Sequence, residues 1–354
     1  MRRLARAWRR LRNELNKRLV QFQNGVLRNE RVFGHPFHLT LEPGNVCNLR
    51  CPLCPTPTRE SRLPSGLLSL EDARRILDRF PYAVQLVLSN WGEPLLNPAL
   101  FDIVREAKAR DLSVRMESNL TRVRDGQLEA LVDSGLDRLV VALDGASQET
   151  YERYRVGGVL ETVLANVRRL RAVQVERDDF RTTVVWKMVV HRWNEHELDR
   201  ARDLADELGM EFEAVTIWTP DDRREWLPSD RRHAGRRTED GGPTRCHHLW
   251  QSVSVNFNGD VFPCCSEFAP SDRLVNVLDE PLAPVWNSEE LRRRRRANRG
   301  PVNCDRCHGD KETRWYQTWM TPAPPPPAST SEAPREGERI AEGGTDAEGK
   351  AQRR

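Results

Sequence analysis

Three of the chain's eight cysteines lie within eight residues, in the stretch EPGNVCNLRCPLCP at positions 42–55. Cys47, Cys51 and Cys54 have the spacing C-x3-C-x2-C, and the other five cysteines all lie in the last third of the chain. A disulfide framework is not expected in a chain of 354 residues that shows no secretory signal at its start. We therefore expect a cytoplasmic protein whose reduced thiols bind metal.

Thiolate chemistry alone leaves two kinds of metal site open for this loop. Three thiolates on one short loop can hold three corners of a cubane iron–sulfur cluster, and soft thiolates also suit zinc. Structural zinc sites are closed by four ligands, whereas three cysteines leave one position for a substrate or cofactor. His35 and His38 are candidate fourth ligands, although they lie at the far end of the strand that precedes the loop.

Six short apolar segments alternate with helical patterns and must position this loop. The predicted strands are residues 37–42, 83–89, 113–118, 138–143, 182–190 and 212–218. Strands that alternate with helices form a parallel sheet, either doubly wound or curled into a barrel, with the site at the carboxyl ends of the strands. The cysteine loop follows the first strand and NWGEP, residues 90–94, follows the second, so both are predicted on one face.

The N-terminal segment, residues 1–36, predicts one basic amphipathic helix. Its apolar residues recur at spacings of three or four, and arginines occupy much of the remaining surface. The stripe consists of Leu4, Trp8, Leu11, Leu15, Leu19, Phe22 and Val26. We expect the stripe to dock on the protein itself, with contact to a partner protein or an anionic membrane as the alternative.

Composition divides the rest of the chain and limits its partners. After the core, residues 37–219, we expect a polar linker at 220–245, a compact cysteine-containing unit at 246–318 and a disordered tail at 319–354. Charged residues make up 31% of the chain but the net charge is only +3, so we expect no nucleic-acid partner. No apolar run approaches the ~20 residues that span a bilayer.

The stretch LEPGNVCNLRCPLC resembles the signature of the radical S-adenosylmethionine (SAM) superfamily. The resemblance implies an α/β fold, the partial (β/α)6 radical SAM barrel. It also implies a 4Fe–4S cluster on Cys47, Cys51 and Cys54, whose fourth iron binds SAM. In that family SAM is cleaved to a 5′-deoxyadenosyl radical that abstracts hydrogen from an unactivated C–H bond. An external electron donor of the flavodoxin or ferredoxin type is implied as well.

Companion motifs of that family indicate further cofactor-binding residues. The family's GGEP appears here as Trp91 followed by Gly92, Glu93 and Pro94, so a tryptophan replaces the first glycine. We expect glycine to allow close backbone approach and Glu93 to accept from the SAM ammonium group. Family contacts to the ribose correspond to Ser118 and Asn119, and a contact to the SAM carboxylate corresponds to Arg155, for which a surface helix position is the simpler interpretation.

The later cysteines resemble a shortened C-terminal SPASM domain, an iron–sulfur (twitch-like) unit. The resemblance implies one auxiliary 4Fe–4S cluster held by Cys246, Cys264, Cys304 and Cys307. A structural zinc site is the alternative, and His247 and His248 keep a mixed Cys/His site open. If Cys264 and Cys265 lie on a strand, they point to opposite faces, so Cys265 is either a small buried residue or a catalytic hydrogen donor near the substrate.

These motifs predict a radical SAM enzyme of the oxidoreductase or epimerase type that acts on a biosynthetic substrate. Because only about 36 residues precede the first strand, a small-molecule substrate is favoured. A peptide-modifying SPASM maturase is the alternative enzyme, and a zinc-stabilised binding module is the non-enzymatic alternative.

Overall fold

A nine-stranded sheet runs through the protein, seen here in a computed structural model. The strands are β1 (His38–Leu41), β2 (Gln85–Leu88), β3 (Ser113–Ser118), β4 (Arg138–Ala142), β5 (Thr183–Val190), β6 (Glu211–Thr216), β7 (Ser252–Val255), β8 (Asp260–Phe262) and β9 (Val275–Asn276). The structure describes residues 2–27, 29–58, 63–217, 219, 221–230, 233, 248–265, 267 and 270–296. All six predicted strands are therefore confirmed, with small changes at their ends.

The sheet order is β6-β5-β4-β3-β2-β1-β7-β8-β9. Strands β1 to β6 are all parallel and lie beside one another in chain order. The two edge strands, β6 and β9, do not pair with each other, as a partial barrel requires. Strand β7 pairs in parallel with β1, and β8 and β9 add an antiparallel extension, so the C-terminal unit shares the sheet of the core.

Helices connect the strands and cover the sheet. Their bounds are α1 (Arg2–Phe22), α2 (Pro55–Thr58), α3 (Leu70–Arg79), α4 (Leu100–Ala109), α5 (Gln127–Asp133), α6 (Gln148–Tyr154), α7 (Leu160–Glu176), α8 (Leu198–Glu207), α9 (His248–Gln251), α10 (Ala283–Trp286) and α11 (Glu289–Arg296). Short 3-10 turns add Pro94–Leu96, Glu195–Glu197, Asp221–Trp226 and Pro270–Asp272. Every residue of β2 is buried. One face of the parallel strands carries charged side chains that pair with one another, such as Arg115 with Glu117 and Arg138 with Glu213.

The N-terminal helix is shorter than predicted and docks by the opposite face. Helix α1 ends at Phe22 and continues only as a π-helical turn, Gln23–Leu27. The apolar stripe is exposed along its whole length, with Leu4 at 68% and Trp8 at 69%, so the prediction that the stripe docks on the protein is wrong. The buried side chains of α1 are Asn13, Asn16 and Val20.

Polar contacts fix α1 in this orientation. Arg6, Arg9 and Arg10 all donate to the Asp111 carboxylate, which lies just beyond α4. The Asn13 amide donates to the Ala83 carbonyl at 3.2 Å. Sequence periodicity identified the amphipathic helix but not its docking face, because that face is selected by partners elsewhere in the chain.

Other predicted boundaries are partly tested. Within the predicted linker, Asp221–Trp226 is a 3-10 turn, and Trp226 is buried against the core. The rest of that linker, the tail at 319–354, Cys246, Cys304 and Cys307 lie outside or mostly outside the described residues. Across the part of the chain that the structure describes, no helix is long and apolar enough to cross a membrane.

Candidate cluster-binding site

The loop after β1 carries the three predicted cluster cysteines at the carboxyl end of the sheet. The Leu49 amide lies 3.5 Å from Cys47 Sγ, and the Cys54 amide donates to the Cys51 carbonyl at 3.2 Å. None of the five described cysteines forms a disulfide. His35 and His38 are at the opposite end of β1, where His35 stacks on Tyr82 and His38 bonds to Gln85, so the structure does not bring them to this loop.

Neighbouring backbone segments hold the loop in place. The Glu93 amide donates to the Val46 carbonyl at 2.8 Å, and the Asn97 side chain donates to the Pro43 carbonyl at 2.7 Å. A Cβ on Gly92 would lie 1.8 Å from the Gly44 carbonyl oxygen. Glycine is therefore required at position 92 because the segment after β2 packs directly against the cysteine loop.

The three thiols form a donor set suited to an iron–sulfur cluster. Burial raises the pKa of Cys47 and Cys51, and it raises the pKa of Cys54 to about 12. The metal-free thiols are thus protonated at neutral pH, and cluster binding must release those protons. Among the described residues, no three His, Cys, Asp or Glu side chains converge on a point as ligands of one ion would. In a cubane each cysteine binds a different iron, so this spacing is compatible with the predicted cluster.

Glu93 links the ends of β2 and β3 beside the loop. It is buried, and its carboxylate accepts from the Leu95 amide at 3.0 Å, the Ser118 hydroxyl at 2.7 Å and the Asn119 amide at 2.8 Å. Burial raises the pKa of Glu93, while these three donors favour the carboxylate. The structure therefore gives Glu93 a positioning role, and its predicted contact to SAM stays a prediction.

The segment after β3 reaches the cysteine loop. The Asn119 side chain lies 3.8 Å from Cys47 Sγ and donates to the Asn48 side chain at 3.2 Å. The next residue, Leu120, has φ of 51°, which is a strained backbone conformation for a leucine. The Ser118 hydroxyl accepts from the Leu120 amide at 2.9 Å and so stabilises this conformation. Strain of this kind is common at functional sites.

Arg155 lies at the cysteine loop and not on the surface. Its Nε donates to Asp144, whose side chain is fully buried, at 2.5 Å, and its Nη1 lies 3.7 Å from Cys51 Sγ. Although burial alone would lower the pKa of Arg155, the charge of the Asp144 carboxylate raises this pKa well above its usual value. The simpler interpretation as a surface residue is therefore wrong, and Arg155 is a fixed positive charge beside a predicted iron ligand.

An aromatic cluster beside Cys54 was not predicted. Leu53 packs with Trp226, and the rings of Tyr154, His191 and Trp193 surround Trp226 at centroid distances of 4.5 to 5.5 Å. Burial lowers the pKa of His191 to about 4, so its ring is neutral at physiological pH. The sequence signal was the position of His191, directly after β5 and thus at the carboxyl end of the sheet.

A buried carboxyl at the end of β1 was also missed. Glu42 is fully buried, and one oxygen accepts weakly from the Trp91 amide at 3.4 Å. Burial raises the pKa of Glu42 to about 7, so it exchanges a proton near neutral pH. Its position immediately before the cysteine loop was the available signal.

The described part of the second cysteine group follows β8. Gly259, with φ of 88°, forms the tight turn between β7 and β8. Because β8 ends at Phe262, Cys264 and Cys265 do not lie on a strand, and the alternation argument used for their side chains is wrong. Cys264 is buried and Cys265 half-buried. The other predicted ligands, Cys246, Cys304 and Cys307, are not among the described residues.

Two models of known protein families match separate parts of the chain. Residues 41–205 match the model of the radical SAM superfamily. Residues 246–308 match the iron–sulfur cluster-binding SPASM domain.

The curated proteins that the chain resembles include a heme synthase and a peptide cyclase. The chain is 30% identical over 190 residues to the AdoMet-dependent heme synthase of Methanosarcina barkeri, spanning 52% of each protein. It is 26% identical over 284 residues to the PqqA peptide cyclase of Gluconobacter oxydans, covering 72% of this chain and 78% of the relative. The match to the heme synthase thus spans about half of that relative's length.

Solved structures share the fold at low sequence identity. Streptococcus suis SuiB bound to S-adenosylmethionine aligns with a TM-score of 0.61 and 14% identity, over 77% of this chain and 72% of SuiB. Native anSMEcpe with bound AdoMet aligns with a TM-score of 0.54 and 14% identity, over 73% of this chain and 83% of that protein. At such identity the likeness concerns the fold, which is the partial radical SAM barrel with a C-terminal SPASM domain.

Proposed function

We propose that this protein abstracts hydrogen from an unactivated C–H bond of a biosynthetic substrate. The reason is that the chain belongs to the radical SAM superfamily and carries an iron–sulfur cluster-binding SPASM domain. The supporting observation is the convergence of the cysteine loop, Glu93, Asn119 and Arg155 at the carboxyl ends of β1 to β4. When bound, the cluster and SAM supply the electron and the 5′-deoxyadenosyl group for this abstraction. Cys47, Cys51 and Cys54 would hold the cluster.

The surrounding residues have separate roles in this proposal. Gly92, Glu93 and Pro94 fix the segment after β2 against the cysteine loop, and Ser118 and Asn119 fix the end of β3. Arg155 places a positive charge beside Cys51, where it offsets the negative charge of the thiolate ligands. Its guanidinium is also suited to a carboxylate such as that of SAM.

The substrate has two candidates. We favour a small molecule, with oxidation or epimerisation as the reaction. A peptide is the second candidate, since the PqqA peptide cyclase matches across both domains of this chain and SuiB has been solved bound to precursor peptide SuiA. In either case Cys246, Cys264, Cys304 and Cys307 would hold the auxiliary cluster, and a flavodoxin or ferredoxin would supply electrons.

The decisive experiment is anaerobic reconstitution followed by measurement of 5′-deoxyadenosine. Replacing Cys47, Cys51 and Cys54 together with alanine is expected to abolish 5′-deoxyadenosine and to remove about half of the protein-bound iron. The remaining iron belongs to the auxiliary cluster and serves as an internal control for folding. Undiminished 5′-deoxyadenosine from the triple variant would contradict the proposal.

Cys265 distinguishes between the reaction types. In an epimerase with Cys265 as hydrogen donor, Cys265→Ala keeps its iron and still forms 5′-deoxyadenosine, but the epimerised product is lost. In a dehydrogenase the same variant keeps full turnover. Candidate substrates are tested by transfer of deuterium to 5′-deoxyadenosine.

A further inference from the structure

The outer face of α1 is an unpartnered apolar surface. Nine of the fourteen large hydrophobic residues that are exposed in the described structure lie between positions 4 and 33, so the exposure is concentrated in the N-terminal segment. They are the seven residues of the stripe together with Leu27 and Phe33. The Gln23 side chain accepts from the Phe33 amide at 2.9 Å, which places the backbone of Phe33 beside the end of the helix.

The outward orientation is built into the docking of the helix. Asn13, Asn16 and Val20, which face the body, lie on roughly the opposite side of α1 from the stripe, at 100° per residue. Asn16 both donates to the His35 carbonyl at 3.0 Å and accepts from the His35 amide at 2.8 Å. Turning the stripe inward would break these bonds, so the protein presents its apolar face to the outside.

The charge of the helix indicates what the stripe contacts. Helix α1 contains eight basic residues and one acidic residue, Glu14, and three of the arginines share one carboxylate on the body. Arg3, Arg12 and Arg18 are exposed, and Arg18 and Arg12 border the stripe on its two sides. Arg12 also donates to the Pro81 carbonyl at 2.6 Å, and Arg18 pairs with Glu14 at 3.1 Å on the helix surface. Basic side chains beside a leucine-rich face with a tryptophan are typical of helices that lie in the plane of an anionic bilayer.

The spacing of the stripe argues against a second copy of the chain as the binding partner of this surface. Its positions repeat after eleven residues, as 4, 8 and 11 and then 15, 19 and 22. Eleven residues in three turns is a period of about 3.67, whereas an ordinary two-stranded coiled coil needs about 3.5. The stripe therefore stays nearly straight along about 30 Å of helix and matches a flat surface better than a supercoiled partner.

We propose that α1 binds the surface of an anionic lipid bilayer, with its apolar stripe inserted at the headgroup boundary and the flanking arginines on lipid phosphates. Docking by this face leaves the bonds of Asn13, Asn16 and the arginines on Asp111 intact, whereas Arg12 would exchange its bond to the Pro81 carbonyl for a lipid phosphate. The enzyme would thus act at a membrane surface, and no helix among the described residues is able to span the bilayer.

The test is flotation of the full chain with lipid vesicles. Binding is expected to vesicles of phosphatidylcholine mixed with phosphatidylglycerol, and to be at least about tenfold weaker with phosphatidylcholine alone. Replacing Trp8, Leu11 and Leu15 with glutamine is expected to weaken binding about 100-fold, because three apolar side chains no longer enter the bilayer. The matched control, Val175→Gln with Phe180→Gln, removes exposed apolar residues elsewhere and should bind like the wild type.

Two further measurements test the stability and the oligomeric state of the wild type and the triple variant. The triple variant should retain the melting temperature of the wild type, since the replaced side chains are exposed. Sedimentation equilibrium should show a monomer for both proteins. Absence of vesicle binding, equal binding to both lipid mixtures, or a wild-type dimer that the triple variant dissociates would each overturn the proposal, and the last result would assign the stripe to a second copy.

Discussion

Arg155 joins a buried carboxylate to a predicted iron ligand. Asp144 is inaccessible to solvent, so the ion pair has little screening from water. Removing one partner of a buried pair costs about 3–5 kcal/mol, because the other charge remains buried and unpaired. We expect Arg155→Ala to lower the free energy of unfolding of the metal-free protein by about 3 kcal/mol. Urea denaturation measures this loss without involving the cluster.

Helix α6, which ends just before Arg155, supplies the matched control. Arg153 is exposed and its guanidinium lies 4.7 Å from the centre of the Trp193 ring. It forms no ion pair with a buried carboxylate in the described part of the chain. Arg153→Ala should cost about 1 kcal/mol or less. If the two variants lose the same free energy of unfolding, the contact of Arg155 with Asp144 contributes no more to stability than a surface interaction does.

At the scale of elements, one carboxylate fixes the first half of α1. Asp111 has φ of 63°, a left-handed conformation that aspartate tolerates better than most residues. Partial burial alone would raise its pKa, but hydrogen bonds from Arg6, Arg9 and Arg10 hold the pKa of Asp111 well below its usual value. The stabilisation is therefore complete above pH of about 4, the pKa of an unfolded aspartate, and is lost as the pH falls further toward the lowered pKa.

Asp111→Asn tests this attachment. Asparagine keeps the size and the left-handed conformation but removes the charge, so we expect faster amide hydrogen exchange in the first three turns of α1 at neutral pH. The wild type should approach the variant only in strong acid. Asp102→Asn is the control, because Asp102 pairs with Arg105 on the surface of α4. Unchanged protection in Asp111→Asn would mean that the arginines do not anchor the helix.

The local sequence predicted the helices and strands well, but it did not predict which residues they contact in the fold. The six strands were identified because short runs rich in apolar residues alternate with helical patterns, and the loop cysteines because their spacing is short. The docking face of α1 depends on Asp111, about a hundred residues away, and no local period carries that information. The role of Gly92 likewise depends on its approach to Gly44, which only the folded sheet creates. The strand argument for Cys265 did not hold because β8 ends before it.

At the scale of the whole molecule, the N-terminal segment joins the C-terminal unit. The Asn287 side chain accepts from the Val32 amide and donates to the Val32 carbonyl, both at 2.9 Å. Trp250 Nε1 donates to the Asn29 carbonyl at 2.8 Å. Buried Arg295 donates to the Glu30 carbonyl at 3.1 Å. Together with the pairing of β1 and β7, these bonds make the core and the C-terminal unit depend on each other.

Two truncations separate the helix from this junction. Deleting residues 1–12 removes the arginines bound to Asp111 but leaves residues 29–32 in place, so we expect one cooperative urea transition with a small loss of stability. Deleting residues 1–32 also removes the bonds that Trp250, Asn287 and Arg295 form to residues 29–32, at about 1–3 kcal/mol for each buried group left unsatisfied. Arg295 retains its bonds to the Leu249 and Trp286 carbonyls. The longer deletion should therefore expose the C-terminal unit to proteolysis before the core unfolds. Equal stability of the two truncated proteins would show that the junction does not couple them.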